Sequence, residues 1–521
     1  MIHGDVLGER ARMSPDKLAL VCVSTGLRLT YRELDARASR CARVWRDVCG
    51  LSEGDRVAIL SANRVEFVEA FFAAAKAQIT LVPLNTRLTP RELEIIWKDS
   101  GARGLMYGAD TVETVRQLAR RLTIEHLIAL DDAACEPGSA SYADLCARAA
   151  RTTADPIVSA STLSERLQCL LYTSGTTGKP KGVMIPQRMI GWNALNTVAS
   201  WQLRPDDVSP IFTPLYHAGG LTVFLTPIFA VGGTIVLHTR FDVAEIWQTI
   251  EREGCTVALG VPTIFKMLIE APEVRKGRLR WFISGGAPLP VQLIQAFREK
   301  GIVLRQGYGL TEVGVNCFAL ADADAWRKPG TIGKPMMFTE ARVVGPNGMA
   351  VPIGEVGELC LRGPHVSAGY WNDPPATRAA FEADGCFHTG DLARVDEEGF
   401  YYIAGRIKDM FISGGVNVYP AEIEAELSLH PDVCDAAVLG VPDPTWGEVG
   451  VAFVVLRDRA REPDLTAFLS ESLAKYKVPK EIVFVDSMPR TPYGKVVKGE
   501  LRERYRQRMN GAGPDPSHRA D

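Results

Sequence analysis

The stretch LLYTSGTTGKPKG, Leu170 to Gly182, runs an apolar strand into a loop with four hydroxyl side chains, Thr173, Ser174, Thr176 and Thr177, followed by Lys179 and Lys181. Its glycines, Gly175 and Gly178, let backbone N–H groups approach phosphate oxygens. The hydroxyls donate further hydrogen bonds and the lysines bring charge, so the segment is suited to wrapping a polyphosphate. It is not a Walker A loop, which needs Gly at 173 and Ser or Thr at 180; the chain has Thr173 and Pro180 there. A solvated Gly/Thr surface loop accounts for four such residues but poorly for eleven in order.

Outward from this loop, strand-like and helix-like segments alternate, the pattern of α/β layers with much parallel sheet. Arg56 to Leu60 reads as a buried strand and Glu66 to Lys76 as the helix after it, with a second strand beginning at Ile79. Similar pairs are Thr234 to His238 with Val243 to Glu251, and Thr256 to Leu259 with Thr263 to Ile269. After Gly363 the chain turns Gly/Pro/Asp-rich and reaches YYIAGRIKDMFISGGVNVYPAEIEAEL, read as strand, glycine turn and helix. Pro420 suits the first turn of that helix, Glu422 and Glu424 its positive end, and Ile423 and Leu427 share its buried face. The expected fold class is therefore α/β, with a large N-terminal domain of layered α/β subdomains (residues 1–404). A small, mobile α+β C-terminal domain (405–510) and a disordered tail (511–521) follow.

A chain of 521 residues exceeds one hydrophobic core, which agrees with that division. Its net charge of -3 gives no broad basic field for nucleic acid or anionic membrane, so phosphate binding has to be local. The eleven cysteines include no CxxC pair and none near a histidine at zinc spacing, so reduced structural thiols are expected, without a disulfide framework or metal site. The N-terminus is charged and lacks an apolar core, so no targeting segment is read there and a cytoplasmic protein is expected. Leu221 to Leu237 is apolar, but Pro227, Gly232 and Gly233 interrupt it, which predicts two short buried elements rather than a membrane span.

At the Tyr172–Gly182 loop the chain resembles the adenylate-forming superfamily: acyl-CoA synthetases, nonribosomal peptide adenylation domains and firefly luciferases. The resemblance runs from LTYREL at Leu29 and GDRVAIL at Gly54 to about Arg504, with later motifs in the family's order. It implies an ATP site made by Thr173, Ser174, Gly175, Thr176, Thr177 and Lys181. Gly286 and Ala287 flank the adenine, and Gln306, Gly307, Tyr308, Gly309 and Thr311 form the second core motif. Gly307 and Gly309 look like a dinucleotide fingerprint, but Glu312 stands at its last glycine position. The resemblance instead makes Glu312, with the Thr176 hydroxyl, a ligand of Mg2+, for which oxygen donors are apt. It makes Asp391 the acceptor of both ribose hydroxyls, Arg406 a ribose or phosphate donor, Lys408 the interdomain hinge, and Lys495 the catalytic lysine bridging substrate carboxylate and α-phosphate. Lys498 is the weaker candidate: a usually small family position is Tyr493 here, but register favours Lys495.

The implied reaction joins an acid to ATP as an acyl-adenylate, releasing pyrophosphate, and then transfers the acyl group to coenzyme A with release of AMP. Positioning and charge suffice for the first step, so no general-base dyad is needed. Gly414 and Gly415 are implied to face the pantetheine. The acyl pocket is expected around Tyr216, His217, Gly219, Val223, Gly285, Gly309 and Val313, with His217 gating or positioning the acyl group. That pocket offers no carboxylate for an α-ammonium and no arginine for a second carboxylate, which points to a fatty acid or an aryl or cinnamic acid. The expected partners are small molecules: the acid, ATP and CoA, with no nucleic acid and no integral membrane segment, and a homodimer as the possible assembly. Loading of a carrier-protein phosphopantetheine is the alternative function, and a non-catalytic nucleotide-binding protein the more distant one.

Overall fold

Near-continuous apolar runs become parallel strands, because a strand covered on both faces has no solvent side to alternate with. The computed structural model describes residues 3–151, 164–173, 180–458, 462–491 and 495–511. In it, Arg56–Leu60, Thr80–Pro83, Gly104–Tyr107 and His126–Ala129 lie parallel in a seven-stranded sheet. One edge of that sheet is the antiparallel pair Leu167–Thr173 and Lys181–Pro186, whose register ends at Thr173 opposite Lys181. Ser174, Gly175, Thr176 and Thr177, expected to hold phosphate, lie outside the described residues.

The helix Val65–Ala77 is buried almost all round, with Phe72 packed against Phe229 of the helix Thr226–Val231. Val, Phe and Ala make up most of its surface, and its two buried charges are paired, Glu69 with Arg37 and Lys76 with Asp5 and Asp35. A second sheet, ordered Val208–Ile211, Thr234–Leu237, Leu18–Cys22 and Arg28–Thr30, shares this core. A third holds the parallel strands Val257–Gly260, Trp281–Ser284 and Val303–Gln306 over a core of Phe265, Phe282 and Phe297. The expected strand and helix ends agree to within two residues.

The Leu221 to Leu237 stretch differs in detail. Pro227 does not interrupt it: the helix runs through a π turn, Leu221–Leu225, directly into Thr226–Val231, and the Val223 carbonyl, which Pro227 cannot meet for want of an N–H, accepts instead from Asn316 Nδ2 at 3.1 Å. The chain leaves the helix at Gly232, in the left-handed region at φ 86°, and enters the strand Thr234–Leu237. Among the described residues no helix is long and apolar enough to cross a membrane.

An antiparallel sheet of Glu340–Val344, Gly357–Arg362, Phe387–Val395 and Tyr401–Arg406 follows, and then a smaller one in the C-terminal part. The smaller sheet contains Phe411–Ser413, Val416–Val418, Val433–Asp443, Gly447–Leu456 and Glu481–Phe484, packed on Pro420–Leu427 and Leu465–Ser472. Pro420 does open its helix, and Ile423 and Leu427 are fully buried. The last helix, Lys498–Gly511, includes the residue at which the tail was expected to begin; residues 512–521 lie outside the described residues. Polar contacts that join the small part to the large one among the described residues include Lys266 Nζ to Cys434 Sγ at 2.9 Å, and Gln292 Nε2 donating to the Ser428 carbonyl at 2.7 Å.

Candidate active site

Sheet register builds the first part of the site. Asp391 and Arg406 stand opposite each other on neighbouring antiparallel strands, and Arg406 Nε reaches Asp391 Oδ1 at 3.0 Å. The other carboxylate oxygen accepts from the Tyr308 hydroxyl at 2.6 Å, so the second core motif and the Thr-Gly-Asp motif meet although 83 residues separate them. Burial, with Asp391 alongside, pushes the Tyr308 hydroxyl pKa well up, so it remains a donor. The turn before Asp391 is pinned twice: Thr389 Oγ1 donates to the Leu359 carbonyl at 2.6 Å, and the Gly390 N–H to Glu358 Oε1 at 3.0 Å. The result is a 6% exposed carboxylate held in one orientation, suited to accept paired hydroxyls.

Glu312 follows Gly307, Tyr308, Gly309 and Thr311 beyond the carboxyl end of the strand Val303–Gln306, where open parallel sheets form ligand crevices. A Cβ on Gly309 would lie 2.0 Å from the Val315 carbonyl oxygen, so only glycine fits there. Gln306 is spent on the backbone, donating to the Gly307 carbonyl at 2.8 Å and accepting from Leu289 N–H at 2.9 Å. Gly286, with φ 78°, and Ala287 leave the neighbouring strand Trp281–Ser284 at the same end. Glu312 Oε1 accepts from the Tyr370 hydroxyl at 3.1 Å, and Lys181 Nζ lies 4.8 Å from the Tyr370 ring centroid. Burial raises the Glu312 pKa, offset by Tyr370 and by the Lys495 and Arg406 charges. A desolvated carboxylate with one oxygen engaged by a neutral donor fits Mg2+, which takes one or two carboxylates and leaves its other positions to phosphates and water.

Lys495 sits among Arg406, Asp391, Lys408 and Glu312. Solvent reaches it, but desolvation by the cleft walls and the Arg406 and Lys408 cations bring its pKa down to about 8. Its backbone is fixed by paired contacts with Thr491. Lys498, the other lysine considered, donates instead to Glu424 Oε1 at 2.8 Å and the Val438 carbonyl at 3.0 Å, within the small domain. Lys408 is exposed, two residues beyond the end of the strand Tyr401–Arg406.

The residues expected around the acyl group are divided. Tyr216 and Val223 belong to the main core, and His217 lies against Tyr216 with ring centroids 4.8 Å apart. Desolvation, with Arg87 nearby, lowers the His217 pKa to about 4, so it is neutral at neutral pH. Gly219 lies in the short helix Ala218–Gly220, and Gly285 opens toward Leu259. Val313 points elsewhere, into the core of Phe318, Leu359 and Phe387. A small cavity between these elements is lined by Leu171, Ile185, Met189, Ile190, Asn193 and Thr222, with Ala218, Thr311 and Gly314 completing its wall. None of these is charged. Asn193 Nδ2 donates to the Thr222 carbonyl at 2.7 Å, whereas its buried Oδ1 has no hydrogen-bond partner among the described residues.

Gly414 and Gly415, at φ 57° and 82°, form the two-residue turn that Ser413 and Val416 close. Two successive positive φ values are what such a tight hairpin requires. Trp446, nearly half exposed, covers Gly414, whose N–H donates to the Trp446 carbonyl at 2.9 Å. Tyr370, Asn193 and Trp446 were not singled out from sequence. Each acquires its place through contacts distant in the chain, and no local signal marks it.

Residues 7–371 match the AMP-binding enzyme family and residues 422–495 its C-terminal domain. The chain is 40% identical over 507 residues to a feruloyl-CoA synthase of Amycolatopsis sp, covering 95% of this chain and 97% of that protein. It is 37% identical over 511 residues to the long-chain-fatty-acid–CoA ligase FadD13 of Mycobacterium tuberculosis, covering 96% and 98%. Its fold matches ATP-bound MatB from Rhodopseudomonas palustris with a TM-score of 0.87 at 34% identity, covering 97% of this chain and 99% of that one. The chain belongs to the AMP-binding enzyme family, within the adenylate-forming superfamily of AMP-dependent acyl-CoA synthetases. It is an AMP-forming acid–CoA ligase that uses ATP, with the large and small domains that the fold shows.

Proposed function

We propose that this ligase activates an apolar carboxylic acid, fatty or aryl, and that Lys495, Glu312, Asp391 and Arg406 are its working charges. The observation that carries the reading is Lys495: the small domain delivers a cation into a cleft where the large domain supplies the carboxylates Asp391 and Glu312. In the first step an acid oxygen attacks the α-phosphorus, an O–P bond forms, and the bond to pyrophosphate breaks. Lys495 holds the two anions together and stabilises the charge that builds on the phosphoryl oxygens. Asp391 accepts the ribose hydroxyls, Arg406 orients Asp391 and the sugar, and the Thr173 to Lys181 segment holds the phosphates. Mg2+, held by Glu312, by the Thr176 hydroxyl outside the described residues and by the phosphates themselves, would supply further charge neutralisation.

In the second step the CoA sulfur attacks the acyl carbon, the bond to AMP breaks, and the thiol proton leaves to solvent. Lys495 must then withdraw, and rotation of the residues beyond about 405 around Lys408 would bring the Gly414–Gly415 turn to the pantetheine. The uncharged lining of that small cavity, which has to open to admit an acyl group, favours an acid without a second ionised group. Within that class, the Asn193 Oδ1 acceptor favours an aryl acid with a ring hydroxyl, because a buried acceptor left unfilled costs about 1–3 kcal/mol. The test is a panel of fatty and aryl acids read by pyrophosphate release with and without CoA. Turnover that needs a holo-carrier protein in place of CoA, or preference for dicarboxylates, would overturn the reading. Equal turnover of an aryl acid and its ring-hydroxylated form would remove the role of Asn193.

A further inference from the structure

The strands Gly357–Arg362 and Phe387–Val395 pair with Cys360 opposite His388, and this register gathers a second set of donor atoms that adenylation does not use. His388 Nδ1 lies 3.3 Å from Cys360 Sγ and 2.9 Å from Glu358 Oε2, and the three donor atoms all fall within 4.8 Å of one another. Cys386, two residues before His388, packs against Cys360, and both cysteines are buried. The other ring nitrogen, Nε2, faces Glu382 Oε1 at 3.2 Å.

A neutral imidazole that donates Nε2–H to Glu382 leaves the Nδ1 lone pair directed at a carboxylate and a sulfur, which are themselves electron-rich. Something positive is needed between them, either a proton or a metal ion. A carboxylate behind a ligating histidine is the usual support of such a site, since it fixes the tautomer and raises the basicity of the ligand. A tetrahedral zinc ion places its nitrogen, oxygen and sulfur donors about 3.3–3.6 Å apart, so the separations here need only slight opening.

We propose that Glu358, Cys360 and His388, completed by Cys386, bind one divalent transition-metal ion of the zinc class, with Glu382 orienting His388. Thiolate and imidazole donors select zinc or cobalt over the magnesium that accompanies ATP. The site adjoins the ATP cleft, because Glu358 Oε1 accepts the Gly390 N–H one residue before Asp391. An ion on Oε2 therefore ties the ribose turn to the strand pair beneath it.

The test is titration of the reduced full-length protein with Zn2+ and with Co2+. One tight equivalent and a thiolate-to-cobalt charge-transfer band are expected, both lost in Cys360→Ala, with affinity about 10- to 100-fold weaker in Glu382→Gln. Cys386→Ala and the less buried His388→Gln provide the same readout should Cys360→Ala fail to fold. The proposal is overturned if the band is missing from the wild type or persists unchanged in these variants. It is also overturned if a Cys360–Cys386 disulfide forms under mild oxidation without any metal uptake by the reduced protein.

Discussion

Lys76 and Lys495 both stand near carboxylates, and their surroundings treat them oppositely: the first is buried, the second is reached by solvent at the edge of the cleft. Lys76 lies in the core of the large domain, with side-chain exposure of 3%, between Asp5 Oδ2 at 2.8 Å and Asp35 Oδ1 at 2.5 Å. Burial works against its charge, but the two carboxylates prevail and its pKa rises. Lys495 makes no ion pair among the described residues; desolvation and two neighbouring cations lower it to about 8. A buried cation whose anions are already in place is part of the fold. One short of anions is prepared for a ligand that brings them, and the adenylation reaction supplies two, a carboxylate and a phosphate.

The sharpest way to break this contrast is to remove each lysine. Lys495→Ala should lower ATP–pyrophosphate exchange by about 10²- to 10³-fold or more, the scale of losing one transition-state charge contact, with the midpoint of denaturation little changed. Unchanged exchange would reject its role. Lys76→Met should do the reverse, destabilising the fold by about 3–5 kcal/mol because Asp5 and Asp35 lose their partner, while KM for ATP holds in the protein that remains folded. Chemical denaturation measures this.

A smaller effect is expected from Asp391→Asn, which keeps shape and removes charge. KM for ATP should rise roughly tenfold to a hundredfold, the value of a charge-assisted hydrogen bond of about 1.5–3 kcal/mol. pH offers a gentler probe of the same contrast. The Lys495 charge is present below about pH 8 and is lost as pH rises through that value, so kcat/KM for adenylation should fall above it, and Lys495→Arg should flatten that limb. Stability has the opposite sign: between about 8 and the ordinary lysine value of 10.5 the unfolded chain binds more protons, so the ligand-free protein gains stability from this group across that window. The smallest change is Tyr370→Phe, which removes the donor to Glu312 and should raise the Mg2+ requirement a few-fold, the scale of about 0.5–1.5 kcal/mol.

Much of the architecture could be read locally. Arg56–Leu60, Val65–Ala77 and Thr234–Leu237 form where apolar runs and periodicity place them, because burial on both faces of a strand or all round a helix leaves a pattern in consecutive residues. Pro227 was misread as a break because the π turn before it and the Asn316 donor that meets the freed Val223 carbonyl, 93 residues away, are not visible in neighbouring residues. The motif residues Tyr308, Glu312, Asp391 and Arg406 could be picked out one by one, but not the Tyr308–Asp391 hydrogen bond or the Tyr370 donor on Glu312, whose partners lie 83 and 58 residues apart. The expected acyl set included Val313, which a turn of the chain directs into another core, and the Asn193 wall of the neighbouring cavity was not foreseen.

The sequence by itself determined the family and the α/β class, because motifs and periodicity are properties of neighbouring residues. Motif register already favoured Lys495 over Lys498; tertiary structure alone showed that Lys498 is tied to Glu424 and the Val438 carbonyl, and that Cys360 meets His388. No spacing rule marks a pair 28 residues apart, because strand register, set by burial of whole faces, brings them together.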